Sequence, residues 1–212
     1  MAVAADLGKA IAERGRASMA VSGGSTPERF FAALSEQSVP WDKVSVTLVD
    51  ERWVPDGDPR SNARLVKAHL LRNRAATGRF VPLYSGDETP EAGLSKAESA
   101  VGAMPLPFAA AILGMGTDGH TASFFPGGDN LRAALGDEAG LLAPMRAPGA
   151  AEPRITLTRN TLLQADALYL HFEGEKKLAV LEQAMAPGRV DEMPVRAMLH
   201  QDQTDLVIFY AP

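Results

Sequence analysis

The chain has 212 residues, of which 46% are hydrophobic and 22% charged, a composition typical of one soluble globular domain. Its formal net charge of −5 argues against nucleic-acid binding, which needs concentrated Lys and Arg, and its apolar runs are too short to span a bilayer. The absence of cysteine excludes disulfides and thiol nucleophiles, and charges near the N-terminus exclude a secretory signal, so we expect a cytoplasmic protein.

Helical and strand patterns alternate along most of the chain. The first predicted elements are a helix at 2–14, a strand at 17–21, a helix at 28–34, a strand at 44–49, a helix from 62 to about 74, a strand at 80–83 and a helix at 90–101. They continue with strands at 108–113, 141–144 and 154–157, a helix at 158–164, a strand at 167–172, a helix at 175–185 and a strand at 206–210. Ser61 and Thr26 are the predicted N-caps of the helices that follow them, with Pro27 at the first helical position.

This alternation predicts an α/β fold with a mostly parallel, doubly wound sheet and helices on both faces. The sequence shows no internal repeat and no linker, so residues 1–212 are expected to form a single domain.

Polar side chains follow four of the predicted strands, in the segments SGGSTP (22–27), DER (50–52), GMGTDGH (114–120) and FEGEKK (172–177). In open parallel sheets, ligands bind beyond the carboxyl ends of the strands, where such segments converge. The four segments therefore predict one shared site.

The SGGSTP segment has the features of an anion-binding turn. Its two glycines let the backbone approach a ligand closely, and the helix that follows offers free N–H groups to a phosphate. The segment is neither a P-loop nor a dinucleotide fingerprint. A glycine turn that binds nothing is the alternative.

The GMGTDGH segment places Asp118 and His120 on a glycine-rich turn after a buried strand. Imidazole is well suited to take a proton from water near neutral pH, and a carboxylate two residues away can orient it. A solvated loop histidine is the alternative. The other histidines, which are predicted to be structural, are His69, His171 and His200.

The remaining segments supply cations. Arg52 can reach a phosphate or a carboxylate, although a salt bridge to Glu51 or Asp56 explains it equally well. The lysines of FEGEKK open a helix, from which an ammonium group can turn towards an anion. No GxSxG elbow, HExxH pair or Walker lysine occurs, which argues against serine hydrolase, zinc and nucleotide-hydrolysing chemistry.

The motifs in this order resemble the glucosamine-6-phosphate isomerase/6-phosphogluconolactonase family. They are SGGSTP (22–27), DERWVP (50–55) with Ser61 and Asn62, GMGTDGHTASFFPG (114–127), RITLT (154–158) and FEGEKK (172–177). The resemblance extends over residues 21–199 and implies a fold similar to that of the deaminase and ribose-phosphate isomerase relatives. It also implies hydrolysis of 6-phospho-D-glucono-1,5-lactone to 6-phosphogluconate in the oxidative pentose phosphate pathway, without a metal or cofactor, by a monomer or weak homodimer.

The resemblance implies roles for individual residues, with His120 as the catalytic base and Asp118 as its neighbour. Lys177 is preferred to Lys176 because the family pattern is G-x-x-K counted from Gly174. The positions implied to contact the substrate are Gly23, Gly24, Ser25, Thr26, Asp50, Arg52, Arg154 and Lys177.

Two other functions stay open at this stage. In the amino-sugar-phosphate isomerases and deaminases of the family, a Glu five residues after the His assists ring opening, whereas Phe125 stands there in this chain. A non-catalytic sugar-phosphate-binding module is the second alternative.

Family members carry a further strand and helix before SGGSTP, which indicates that the N-terminus of this chain is shortened.

Overall fold

The computed structural model describes residues 2–24 and 26–212. The strands in these residues are β1 Ala17–Val21, β2 Val44–Leu48, β3 Asp50–Arg52, β4 Arg79–Phe80, β5 Ala110–Leu113, β6 Leu142–Met145, β7 Arg154–Leu157, β8 Leu168–Glu173 and β9 Leu206–Ala211. The α-helices are α1 Ala2–Arg14, α2 Glu28–Ser35, α3 Asn62–His69, α4 Pro90–Gly102, α5 Leu131–Leu135, α6 Arg159–Leu163, α7 Glu175–Met185 and α8 Arg196–Leu199.

Six strands form a parallel sheet in the order β4–β2–β1–β5–β8–β9. Every residue of β1, β2 and β5 is buried, as expected for central strands of a parallel sheet with helices on both sides. The predicted α/β fold with a mostly parallel sheet is confirmed.

The parallel arrangement positions the polar segments. The strands β1, β5 and β8 end at Val21, Leu113 and Glu173, so the segments that follow them leave the same edge of the sheet. This edge is where the predicted site lies.

A second, antiparallel sheet in the order β3–β7–β6 was not predicted. The chain leaves β2 and passes directly into β3, whose residue Arg52 pairs with Arg154 of β7. Three polar residues carry no strand signal of their own, and their pairing with β7 joins segments far apart in the sequence. The second sheet therefore sets two arginines from distant motifs side by side.

Several local predictions need correction. The helix that begins at Asn62 ends at His69 rather than near residue 74, and a 3-10 helix follows at Asn73–Thr77. Helix α2 begins at Glu28 with Pro27 as its N-cap, so Thr26 does not cap it, whereas the Ser61 cap is confirmed by a bond from the Arg64 N–H. The sequence did not predict α5 and α8, because helices of one turn give little periodicity.

In the part of the chain that the structure describes, no helix has the length and apolar character needed to cross a bilayer.

Candidate active site

A cavity of about 220 Å³ opens at the carboxyl edge of the parallel sheet. Residues of all four predicted segments line it, and the second sheet forms one side. The predicted residues in its wall are Gly23, Gly24, Thr26, Asp50, Arg52, His120, Arg154 and Lys177. Asp118 lies behind His120 rather than in the wall, and Ser25 lies outside the described residues.

His120 and Asp118 form a hydrogen-bonded pair. The imidazole Nδ1 lies 2.5 Å from the Asp118 carboxylate, which also accepts the backbone N–H of His120 at 3.2 Å. The bond from His120 lowers the pKa of Asp118 below its usual value, so this carboxylate is ionised near neutral pH. An ionised partner at Nδ1 holds a proton there, which leaves Nε2 with the free lone pair of a base.

The turn that carries this pair depends on two glycines. Gly119 has φ +78°, a conformation that favours glycine, and its N–H donates to the Gly116 carbonyl at 3.1 Å. A Cβ on Gly116 would overlap the imidazole of His120 and come within 2.6 Å of an Asp118 carboxylate oxygen. The imidazole therefore packs directly on the Gly116 backbone.

We expect Gly116→Ala to lower kcat by roughly tenfold to a hundredfold, because the new methyl group must displace the imidazole by a fraction of an ångström or more. Steady-state kinetics measure the effect. Gly57→Ala is the matched control, since a Cβ at Gly57 meets nothing within 4 Å. Equal kcat values for the two variants would show that the position of the imidazole does not limit the reaction.

Phe125 connects the imidazole to a guanidinium. Its ring centroid lies 4.4 Å from that of His120, and the Arg154 guanidinium carbon lies 5.5 Å from the same ring. Phe125 is 4% exposed, so it is a fixed surface between the two groups. The sequence showed only that Phe125 cannot transfer a proton, whereas the structure shows its ring packed between the imidazole and the guanidinium.

Asp50 connects the second sheet to the His120 loop. Its Oδ2 atom accepts the Ser123 hydroxyl at 2.6 Å and lies 3.7 Å from a terminal nitrogen of Arg154. Burial lowers the pKa of Arg154 below its usual value, with Asp50 opposing that effect. Asp50 therefore holds Arg154 in the wall of the cavity.

Arg52 and Arg154 each keep a buried donor free. Among the described residues, the Nε atoms of both side chains have no hydrogen-bond partner. A buried, unsatisfied donor on a cation is costly, and an anionic ligand in the cavity would satisfy it. This pair of orphaned donors is the clearest indication that the cavity binds an anion.

The predicted salt bridge of Arg52 to Glu51 or Asp56 does not form. Arg52 donates to the Arg60 carbonyl, and Asp56 pairs with Lys67. Glu51 is fully buried, which raises its pKa, and it accepts the N–H groups of Arg52, Asn62 and Ala63 at 2.8 Å each. Its carboxylate thus caps α3 and leaves the guanidinium of Arg52 to the cavity.

The glycine turn also lines the cavity. Gly24 has φ +89°, and a Cβ on Gly23 would collide with the buried side chain of Asn62. In residues 2–24 and 26–212, the N–H groups of Gly23 and Gly24 donate to no other residue. This arrangement suits a phosphate oxygen.

The two lysines at the start of α7 differ as the G-x-x-K pattern predicts. Lys177 is half-buried and lines the cavity, and burial lowers its pKa. Lys176 is exposed and does not line the cavity. Of these two lysines, Lys177 is therefore the one available to a ligand in the cavity.

Among the residues of the cavity wall to which sequence reasoning assigned no site role are Asn62 and His171. Asn62 belongs to a quoted motif but received no role, and its side chain donates to the Asp50 carbonyl at 3.0 Å. His171, predicted to be structural, lines the cavity near the end of β8. Its place at the carboxyl end of a parallel strand, three residues before Gly174, was the signal that could have found it.

No group of three or more His, Cys, Asp or Glu side chains among the described residues has a geometry that could hold a metal ion.

Comparisons with known proteins agree with this geometry. A family model described as glucosamine-6-phosphate isomerases/6-phosphogluconolactonase matches residues 1–208. The chain is 52% identical over 212 residues to a 6-phosphogluconolactonase of Rhizobium meliloti (strain 1021), an alignment that covers 99% of this chain and 91% of the relative.

Solved structures extend the likeness to the fold. The crystal structure of a 6-phosphogluconolactonase from Shewanella baltica OS155 is 42% identical, with a TM-score of 0.97, over 100% of this chain and 90% of that one. A monomeric glucosamine-6-phosphate deaminase is 16% identical, with a TM-score of 0.77, over 99% of this chain and 91% of that one. The second likeness is one of fold alone.

Proposed function

The chain belongs to the family of glucosamine-6-phosphate isomerases and 6-phosphogluconolactonases, and we propose how its site hydrolyses 6-phospho-D-glucono-1,5-lactone to 6-phosphogluconate. This reaction is the activity of a 6-phosphogluconolactonase and a step of the oxidative pentose phosphate pathway. The observation that carries the mechanism is the His120–Asp118 pair beside a cavity with two orphaned guanidinium donors.

His120 is the general base. With its Nδ1 proton held by Asp118, it takes a proton at Nε2 from a water molecule as the water oxygen adds to C1 of the lactone. The resulting tetrahedral oxyanion then collapses, and the bond between C1 and the ring oxygen breaks. The imidazolium returns its proton to the ring oxygen, and the new carboxylic acid loses its own proton to solvent.

The oxyanion is stabilised by Arg154. Two N–H groups of the GMGTDGH turn are occupied, because Gly116 donates to the His120 carbonyl at 2.9 Å and Gly119 donates to Gly116. The Arg154 guanidinium packs on the same Phe125 ring as the imidazole and has an unsatisfied buried Nε. A donor fixed beside the base is placed for charge that develops at C1.

The phosphate binds to Lys177 and to the N–H groups of Gly23 and Gly24. A dianion held there fixes the sugar so that C1 lies beside His120, and the binding energy serves to orient the substrate. Arg52 lies in the wall with Arg154 and adds a second guanidinium to the anionic substrate.

Phe125 argues against amino-sugar isomerisation at this site. It packs on His120 in the position where the deaminase segment has Glu, and a phenyl ring cannot transfer a proton. The lactone chemistry requires no second acid there, because His120 both takes and returns the proton.

A phosphorylated sugar is a dianion that crosses a bilayer poorly, so we expect the enzyme in the compartment where its substrate forms. We propose that this compartment is the cytoplasm. A monomer or weak homodimer is the state proposed, and light scattering of the purified protein tests it.

The experiment that tests the function is direct. Purified protein in EDTA is expected to hydrolyse 6-phosphogluconolactone well above the spontaneous rate and to release no ammonia from glucosamine 6-phosphate. Ammonia release would support the isomerase/deaminase alternative. Saturable binding of 6-phosphogluconate without any lactone turnover would support a binding module.

A further inference from the structure

His171 stands between two different cavities. It lines the polar cavity of the candidate site and also an apolar cavity of about 250 Å³ behind it. No other described residue lines both cavities. Its imidazole therefore has apolar surroundings on one side and the substrate cavity on the other.

The imidazole has no hydrogen-bond partner on the apolar side. Among the other described residues that line the cavity behind it, only Tyr169 has a polar side chain, and its hydroxyl donates to Asp6 instead. The Phe30 ring centroid lies 6.1 Å from that of His171. The half-buried ring can therefore hydrogen-bond to solvent or to a ligand on the side of the substrate cavity.

A carboxylate and an ammonium group both lie near His171. Burial lowers the pKa of His171, and the nearby positive charge of Lys177 adds a smaller effect in the same direction. The Glu173 carboxylate opposes them from 4.0 Å, beyond hydrogen-bond distance, and Tyr169 on the apolar side is bonded to Asp6. No described residue forms a salt bridge with Lys177, so both groups remain available to a ligand.

We propose that His171 is a specificity-determining residue, whose imidazole N–H donates a hydrogen bond to the substrate's phosphate beside Lys177. The inference rests on the proposed function and deepens it, because it adds a residue that discriminates phosphorylated from unphosphorylated lactones. Binding the dianion stabilises the imidazolium form, so His171 takes up a proton when the phosphate arrives.

Kinetics with two substrates test the proposal. We expect His171→Ala to raise KM for 6-phosphogluconolactone by about tenfold, the loss of one hydrogen bond to a charged group, with kcat nearly unchanged. KM for glucono-1,5-lactone, which lacks the phosphate, is expected to stay the same. His171→Gln keeps an N–H donor and should lose less, and His200→Gln, at an exposed position outside the cavity, is the matched control.

A measurement on the unaltered enzyme covers the case in which a variant does not fold. The NMR signals of the histidine side chains are followed against pH. The signal of His171 is assigned as the one that is missing in His171→Gln or, if that variant is unfolded, by its contacts with Phe30. Adding 6-phosphogluconate is expected to raise the pKa of His171, whereas gluconate should leave it unchanged.

The outcomes distinguish a failure of the proposed function from a failure of the role of His171. An unaltered enzyme without lactonase activity contradicts the proposed function itself. An active enzyme whose folded His171 variants keep the parent's preference for the phosphorylated lactone, or whose His171 pKa responds equally to the two acids, overturns the role of His171 alone.

Discussion

Replacing His120 by alanine is expected to lower kcat by about 10² to 10⁴, the range that general-base catalysis typically contributes. The imidazole is the base that activates water and the acid that protonates the ring oxygen, so both steps lose their catalyst. KM should change little, because other groups, Lys177 and the N–H groups of Gly23 and Gly24, hold the phosphate. Initial rates are measured after subtraction of the spontaneous hydrolysis of the lactone.

Two further variants serve as comparisons for His120→Ala. Asp118→Asn keeps the size of the side chain but removes the negative charge of the oxygen that lies 2.5 Å from Nδ1 and holds its proton. We therefore expect a smaller loss in kcat than for His120→Ala. His200→Ala, at an exposed position outside the cavity, should behave as the parent enzyme. Full activity in folded His120→Ala would exclude the base that we assign.

Replacing Lys177 by alanine is expected to raise KM for 6-phosphogluconolactone by roughly tenfold to a hundredfold, the effect of one hydrogen bond to a charged group. The ammonium is half-buried in the cavity wall, where burial destabilises its charge and lowers its pKa. The substrate's phosphate offsets that effect by stabilising the charged form. Stability to urea should barely change, because no described residue forms a salt bridge with this lysine.

Lys176→Ala is the control for Lys177→Ala. The two side chains differ by about 100° around α7, and Lys176 is exposed outside the cavity. Its removal should leave KM at the value of the parent enzyme. Equal effects of the two substitutions would mean that α7 acts on the substrate only through its general positive charge, and no effect of either would place the phosphate elsewhere.

The sequence by itself determined the local elements and the motifs. Helix α1 and strand β7 have the predicted bounds, Ala2–Arg14 and Arg154–Leu157, because an apolar stripe and a β-branched run are local patterns. The motifs also predicted that His120 and Lys177 line one cavity, since strands of a parallel sheet end at the same edge.

Only the tertiary structure decided which charged groups pair with other residues and which line the cavity. The sequence offered Glu51 as a partner for Arg52, but the carboxylate caps α3 and the guanidinium faces Arg154 across the second sheet. It also gave His171 no role, because the sequence does not show which cavity a strand-end side chain faces. Pairing partners and burial depend on contacts between segments far apart in the chain, and periodicity and capping report only on neighbours along it.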